Sequence, residues 1–303
     1  MAQAGIRRTE FHAAGAHGHT RFCRAWLPAR PERALLVVHG YAEHSGRYER
    51  FGAWFAARGA AVHAYDHPGH GRSAGPRCHL RRFADLLDEL DRVLQQVRDL
   101  HPGLPLFPVG HSMGGLAVAA LAADRQPEVT GVVTSGAALA LSGGPSRGRL
   151  RAARALRRVA PRFALDSGLD PQGLSRDPDV VRAYREDPLI PRKMTVSLAA
   201  ELLAAIPRTA ASSAEVRVPM LMLHGEADPI CPVAGSRAFH AGLRAPGSRL
   251  RTYPGLRHEI FNEPEQESVF GDLLDWVRER EAAALRPEPA EGGRGVDAQA
   301  VAT

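Results

Sequence analysis

The stretch GHSMGG, Gly110 to Gly115, decides how the rest of the chain is read. It follows the apolar run PLFPV (105–109) and precedes the small-residue run LAVAALAA (116–123). A buried strand ends there, a helix begins, and one serine stands between two glycines. Gly110-His111-Ser112-Met113-Gly114 is G-x-S-x-G in the setting that the motif requires: strand, sharp turn, helix. So tight a turn strains the serine backbone and leaves no room for side chains two residues to either side. What is gained is a hydroxyl exposed above the sheet, at a helix N-terminus whose N–H groups and dipole favour negative charge. A serine before a helix also serves as a plain cap. The strand before it and the small residues after it favour the nucleophile.

Outward from this turn, short apolar runs alternate with helical patterns. The runs are 34–40 (ALLVVHG), 60–66 (AAVHAYD), 106–112 (LFPVGHS), 130–136 (TGVVTSG), 219–228 (PMLMLHGEAD) and 249–255 (RLRTYPG). The first four are apolar on both sides of the pleat, as in parallel strands covered by helices on both faces. The segments TEFHAAG and GHTRFCRAWLP alternate more and predict an N-terminal hairpin at the sheet edge. Repeated strand–helix units predict a mostly parallel α/β sheet with right-handed crossovers. The alternation breaks at Ser142 and resumes at Val218, with helical pieces and no convincing strand between. The expected organisation is therefore a core (1–141), a helical cap inserted over the C-terminal edge of the sheet (142–212), the rest of the core (213–285) and a disordered tail (286–303).

The 303 residues are 44% hydrophobic and 24% charged, ordinary for a globular protein, with a formal net charge of +6. Lys193 is the only lysine. A compositional bias toward Arg, Ala and Gly accounts for the charge, and nucleic acid is not expected as a partner. A basic patch still concentrates anionic partners such as phospholipid surfaces. Cys23, Cys78 and Cys231 form no CxxC pair, so neither a disulfide framework nor a zinc site is expected. The N-terminus lacks the apolar run of a signal peptide, and no stretch is long enough to span a bilayer. A reducing, cytoplasmic setting is expected, with contact to membranes from one side only.

A serine nucleophile needs a base, and the base an orienting carboxylate, in the chain order Ser, acid, His on this architecture. Downstream of Ser112 the histidines are His224, inside a strand and suited to packing or a local hydrogen bond, His240, mid-helix, and His258, in the loop YPGLRHEIFNEP. The last can swing over the strand ends. For the acid, Asp228 ends its strand at the same edge, whereas Glu226 lies two residues earlier and Asp272 on a helix. Ser112, Asp228 and His258 are thus the candidate triad. Met113, after the nucleophile, and Tyr41, after His39-Gly40, are the candidate backbone donors to an oxyanion. His39 itself is expected to brace the turn.

Together HGYAEHSGRY (39–48), DHPGHGRSAG (66–75), GHSMGG (110–115), YREDPLI (184–190), LHGEADPIC (223–231) and YPGLRHEIFNE (253–263) resemble the monoacylglycerol lipases, within the serine hydrolases of the α/β-hydrolase fold. The likeness runs from about residue 9 to 281. It implies hydrolysis of monoacylglycerols to glycerol and fatty acid, with no cofactor and no metal. It implies that Glu43 and Arg47 face the glycerol end of the substrate and that Tyr184 points down from the cap to the same place. Each also has a structural reading: Glu43 and Arg47 pairing to brace their loop, Tyr184 packing in the cap. Cys231 matches a cysteine near the site in that family and is expected to be an unreactive bystander. A lysophospholipase or broad carboxylesterase would share every catalytic group, and a non-catalytic binding member is the remaining rival. Epoxide hydrolases and dehalogenases carry a carboxylate at the elbow and are excluded by Ser112.

The chain departs from the family in SRGRLRAARALRRVAPRF (146–163). Leu150, Ala153, Leu156 and Ala160 make a narrow apolar stripe, with Arg147, Arg151, Arg154, Arg158 and Arg162 around it. This is a basic amphipathic helix suited to anionic headgroups, or a solvated helix under the compositional bias.

Overall fold

The computed structural model describes residues 5–142 and 147–285; for Arg147, Arg149, Leu150 and Arg154 it describes the backbone alone. The tail expected at 286–303 lies outside the described residues. The strands are β1 (Arg7–Ala14), β2 (Thr20–Leu27), β3 (Arg33–Val38), β4 (Ala60–Tyr65), β5 (Leu106–His111), β6 (Val132–Ser135), β7 (Ala164–Asp166), β8 (Lys193–Thr195), β9 (Met220–Gly225) and β10 (Arg249–Tyr253). The helices are α1 (Glu49–Ala56), α2 (Phe83–Leu100), α3 (Met113–Asp124), α4 (Arg147–Val159), α5 (Pro178–Glu186), α6 (Val196–Ala210), α7 (Val233–Gly242) and α8 (Gln266–Ala284).

Eight strands form one sheet in the order β1-β2-β4-β3-β5-β6-β9-β10. The β1–β2 hairpin sits at one edge, β2 runs antiparallel to β4, and every pair from β4 to β10 is parallel. This bears out the expected α/β-hydrolase architecture. The apolar runs are buried on both faces because successive residues point to opposite layers. Leu36 and Val38 of β3 pack with α2 and α3, while Leu35 and Val37 pack with the aromatic layer of Phe51, Phe55, Phe270 and Trp276 on α1 and α8. Gly52 lets α1 lie flat on Trp26, since a Cβ there would come within 2.2 Å of the indole.

Between β6 and β9 the chain leaves the sheet and builds α4, α5 and α6. One expectation is corrected here. The insertion does contain strands, β7 and β8, paired antiparallel from Ala164↔Thr195 to Asp166↔Lys193. Three residues are too few to show a period of two, which is why they read as helical or irregular. Three hydrogen bonds through side chains, with the Thr195 N–H to the Cys78 carbonyl (3.2 Å) beside them, fasten the start of α6 to the core loop that leads into α2. Thr195 Oγ1 donates to the Cys78 carbonyl (2.7 Å), Ser197 Oγ to the Leu80 carbonyl (2.6 Å), and the Phe83 N–H to Glu201 (2.6 Å). Among the described residues no helix is long and apolar enough to cross a membrane.

Candidate active site

β5 ends at His111, and α3 begins at Met113. Between them Ser112 takes φ +52° and ψ −114°, a conformation that costs a non-glycine residue about 1–3 kcal/mol. The glycines around it are required by backbone contact. A Cβ on Gly110 would lie 2.4 Å from the Gly114 carbonyl oxygen, and one on Gly114 would lie 2.0 Å from the Val38 carbonyl oxygen. The elbow is clamped by its own peptide groups. Ser112 N–H donates to Ser135 O (3.0 Å), and Ser112 O accepts from Leu116 N–H (2.9 Å) and Ala138 N–H (3.1 Å).

Asp228 lies in the turn after β9, and His258 in the loop after β10. His258 Nδ1 donates to Asp228 Oδ2 at 2.7 Å, with both side chains buried. The other carboxylate oxygen accepts the N–H groups of Ile230 (2.8 Å) and Cys231 (2.9 Å). Burial alone would raise the pKa of Asp228, but His258, His224 and the Cys231 N–H outweigh it and hold the carboxyl well below the usual range. Burial would likewise depress His258, yet the Asp228 charge and hydrogen bond leave its pKa raised. His111 packs beside it, ring centroids 4.7 Å apart, and donates from Nδ1 to Ser135 O at 3.0 Å. Burial, then the neighbouring His258, push the His111 pKa down to about 3.

The loop after β3 carries Tyr41. Gly40 is held at both ends: Glu43 accepts its N–H, and His39 Nδ1 donates to its carbonyl at 2.7 Å. His39 Nε2 in turn accepts the His67 N–H at 2.9 Å, which fixes the tautomer. Because the Gly40 carbonyl is turned into this brace, the Tyr41 N–H of the same peptide points away from it. Among the described residues neither the Tyr41 nor the Met113 N–H donates to a backbone or side-chain acceptor. Both residues line one cavity with Ser112 and His258.

That cavity measures about 850 Å³, in the range of small-molecule sites. Leu141, Leu174, Met194, Leu202, Leu203, Ile206 and Ile230 give it an apolar wall; Glu43, Tyr184 and Glu259, which share Arg47 as a neighbour, make one polar end, and Asp170, Gln172 and Arg257 also lie on its wall. Glu43 is buried, accepts from Tyr48 Oη (3.0 Å), and through burial, partly offset by Arg47, is pushed up to about 7. Arg47 does not line the cavity. Its guanidinium closes on Glu259 through two bonds, Nη2 to Oε2 at 2.7 Å, and lies 5.0 Å from the Tyr184 ring. His44 Nδ1 accepts the Gly46 N–H (3.1 Å), so Nε2 donates to Asp187 at 2.8 Å. This bond ties the EHSGRY loop to the YREDPL segment of the insertion. Cys231 is buried at the cavity wall, and burial followed by the Asp228 charge raises its thiol pKa well above the ordinary value.

Two groups carry more than the sequence disclosed. Glu259 is the buried counter-ion of Arg47; its only signal was its place after His258. His224, read as suited to packing or a local hydrogen bond, makes that bond to the Asp228 carboxylate (3.2 Å).

A family model described as serine aminopeptidase, S33, matches residues 29–265. A monoacylglycerol lipase of Mycolicibacterium smegmatis is 38% identical over 272 residues, 89% of this chain and 97% of its own length. The chain belongs to the monoacylglycerol lipase family of the α/β-hydrolases. A phospholipase of Bacillus subtilis is 33% identical, over 81% of this chain and 95% of its own. The crystal structure of a monoacylglycerol lipase from Paleococcus ferrophilus superposes with a TM-score of 0.77 at 32% identity, covering 91% of this chain and 99% of that one. The monoacylglycerol lipase resemblance of the sequence motifs is thereby borne out.

Proposed function

We propose that this carboxylic ester hydrolase cleaves monoacylglycerols to glycerol and fatty acid through an acyl-enzyme on Ser112. One observation carries the reading. The strained Ser112 and His258, the latter backed by buried Asp228 at 2.7 Å, line one cavity whose wall carries a set of aliphatic side chains and, gathered about Arg47, the polar groups of Glu43, Tyr184 and Glu259.

His258 takes the Ser112 proton as the hydroxyl attacks the ester carbonyl. The Tyr41 and Met113 N–H groups hold the oxyanion, a contribution of about 3–4 kcal/mol per donor. Asp228 keeps the His258 proton on Nδ1 and stabilises the imidazolium. His258 then protonates the departing glycerol, and water releases the acid by the reverse path. The segment 142–212 acts as the cap, supplying the acyl wall through Met194, Leu202, Leu203 and Ile206.

The polar end favours a neutral polyol over a phosphate headgroup. It presents two carboxylates and a tyrosine; Arg47 is closed on Glu259, and Arg257, elsewhere on the cavity wall, donates from Nη1 to the Gln172 and Ser175 carbonyls. Glu43 and Tyr184 can hydrogen-bond glycerol hydroxyls; Arg47 acts from behind, by holding Glu259. The reading is tested by comparing turnover of a monoacylglycerol, the matching methyl ester and the matching lysophospholipid by wild type and Ser112→Ala. Preference for the monoacylglycerol, with activity lost in the variant, is expected. Preference for the lysophospholipid would give the site to a lysophospholipase, and activity in Ser112→Ala would end the proposal.

The cap also suits contact with an anionic membrane. Of the seven large apolar side chains exposed among the described residues, Leu156, Val159, Phe163 and Leu165 lie within ten residues of it. Beside them a cavity of about 580 Å³ is lined by His79, Arg81, Arg157, Arg158 and Arg162. Apolar side chains ringed by arginine match the boundary between headgroups and acyl chains.

A further inference from the structure

We infer that His224 is a positioning residue, which holds the Asp228 carboxylate in register with His258 and limits how strongly that carboxylate draws on the ring. The inference rests on the assignment of Asp228 as the triad acid. His224 is fully buried at the end of β9. Its Nε2 faces two acceptors, the Cys231 carbonyl at 2.7 Å and Asp228 Oδ2 at 3.2 Å, so Nε2 carries the proton. Its Nδ1 lies 2.8 Å from Ser236 Oγ on α7, so the hydroxyl donates to it and fixes that tautomer.

Asp228 Oδ2 therefore accepts from two imidazoles, while Oδ1 accepts from the Ile230 and Cys231 N–H groups. With four donors converging, the carboxylate cannot turn about its Cβ–Cγ bond without losing at least one of them. A relay of fixed side chains runs from Ser236 through His224 and Asp228 to His258. Sharing Oδ2 also drains negative charge from the bond to His258, as partners one layer behind a reactive group commonly do. Removing the His224 donor makes Oδ2 the stronger acceptor for His258 alone and moves the imidazole pKa up. The other groups facing this pair are Glu259, Glu43, Arg47, His111 and the Cys231 thiol. All of them remain in a His224 variant, so a change is assignable to His224.

The test uses the full chain and p-nitrophenyl butyrate, with kcat and KM measured from pH 5 to 9 for His224→Leu, which has no donor, and His224→Gln, which restores one. The expected result for His224→Leu is kcat lower by about tenfold, KM within about twofold, and the acid limb of kcat/KM moved to higher pH by about half a unit. His224→Gln should return both toward wild type. Equal losses in the two variants, or an unmoved acid limb, would assign His224 to packing alone and overturn the inference; so would wild-type kinetics in His224→Leu. Where His224→Leu does not fold, His224→Met, which also lacks a donor, decides by the same upward displacement of the limb or its absence. Asp228→Asn separates the premise from the inference. Activity near wild type in that variant refutes the triad assignment, whereas an inactive Asp228→Asn beside an unaffected His224→Leu refutes the positioning role alone.

Discussion

Arg47 and Glu259 form a two-pronged, largely buried ion pair, with the Nη2–Oε2 arm at 2.7 Å and the guanidinium 5.0 Å above the Tyr184 ring. Removing Arg47 leaves the buried Glu259 carboxylate, and that of Glu43 at 3.5 Å from the guanidinium, without their shared cation. Arg47→Met should therefore cost about 3–5 kcal/mol of stability, read by urea denaturation. The loss of turnover should fall on monoacylglycerol and methyl ester alike. A selective rise in KM for the monoacylglycerol, with stability intact, would show that Arg47 touches glycerol after all.

Tyr184 is placed differently, its side chain lining the polar end of the cavity. Tyr184→Phe should lower kcat/KM for a monoacylglycerol by roughly tenfold relative to the methyl ester, the scale of one lost hydrogen bond to a substrate hydroxyl. Equal effects on both esters would reduce Tyr184 to a packing residue.

Strain at the elbow gives a stability prediction of opposite sign. At φ +52° glycine is unstrained where serine is not. Ser112→Gly should be more stable than wild type by about 1 kcal/mol while losing turnover. Gly114→Ala should lose more than about 3 kcal/mol, because its Cβ would meet the Val38 and His39 carbonyl oxygens at 2.0 and 2.6 Å and neither is a flexible side chain. Thermal melts of the two variants check both statements.

Buried histidines set the acid limit of the fold. Burial holds His63 and His111 down to about 3 and His70 to about 4, against an ordinary 6.5. Their folded pKa values lie below the unfolded one, so the stability they confer is present above pH 6.5 and is lost as pH falls toward 4. Each contributes up to about 1.4 kcal/mol per pH unit in that window. The melting temperature should drop steeply below pH 6. Replacing His63 by Leu should flatten that drop, and an unchanged slope would remove His63 from the account. His258 has the reverse sign: its raised pKa favours the fold at low pH, and that contribution fades as pH climbs through the raised value.

Vesicle co-sedimentation checks the surface of the cap. Binding to vesicles of phosphatidylglycerol and phosphatidylcholine should exceed binding to phosphatidylcholine alone and weaken sharply between 0.05 and 0.5 M salt, as about a Debye length of screening demands. Arg158→Glu with Arg162→Glu should abolish the difference. Equal binding to both vesicle types would assign the arginines to solvation.

The sheet was legible because burial on both faces leaves unbroken apolar runs, and the elbow because its glycines answer to backbone contacts that only one turn geometry makes. The positions of Asp228 and His258 followed from chain order and from loops at one sheet edge. Other features were hidden for definite reasons. β7 and β8 are too short to carry a period. Nothing local to Arg47 shows that its guanidinium turns to Glu259, 212 positions away. His224 looked like one more strand residue, because the acceptors it meets are assembled by the turn at 228–231.

The fastening of Thr195, Ser197 and Glu201 to residues 78–83 makes one margin of the roof a fixed wall. We expect a fatty tail to lie against the Leu202, Leu203 and Ile206 wall that α6 supplies, so tolerance for longer chains is set by how firmly that helix is held. Cutting the stitches at Thr195 and Ser197 should loosen selectivity by length while sparing the glycerol end.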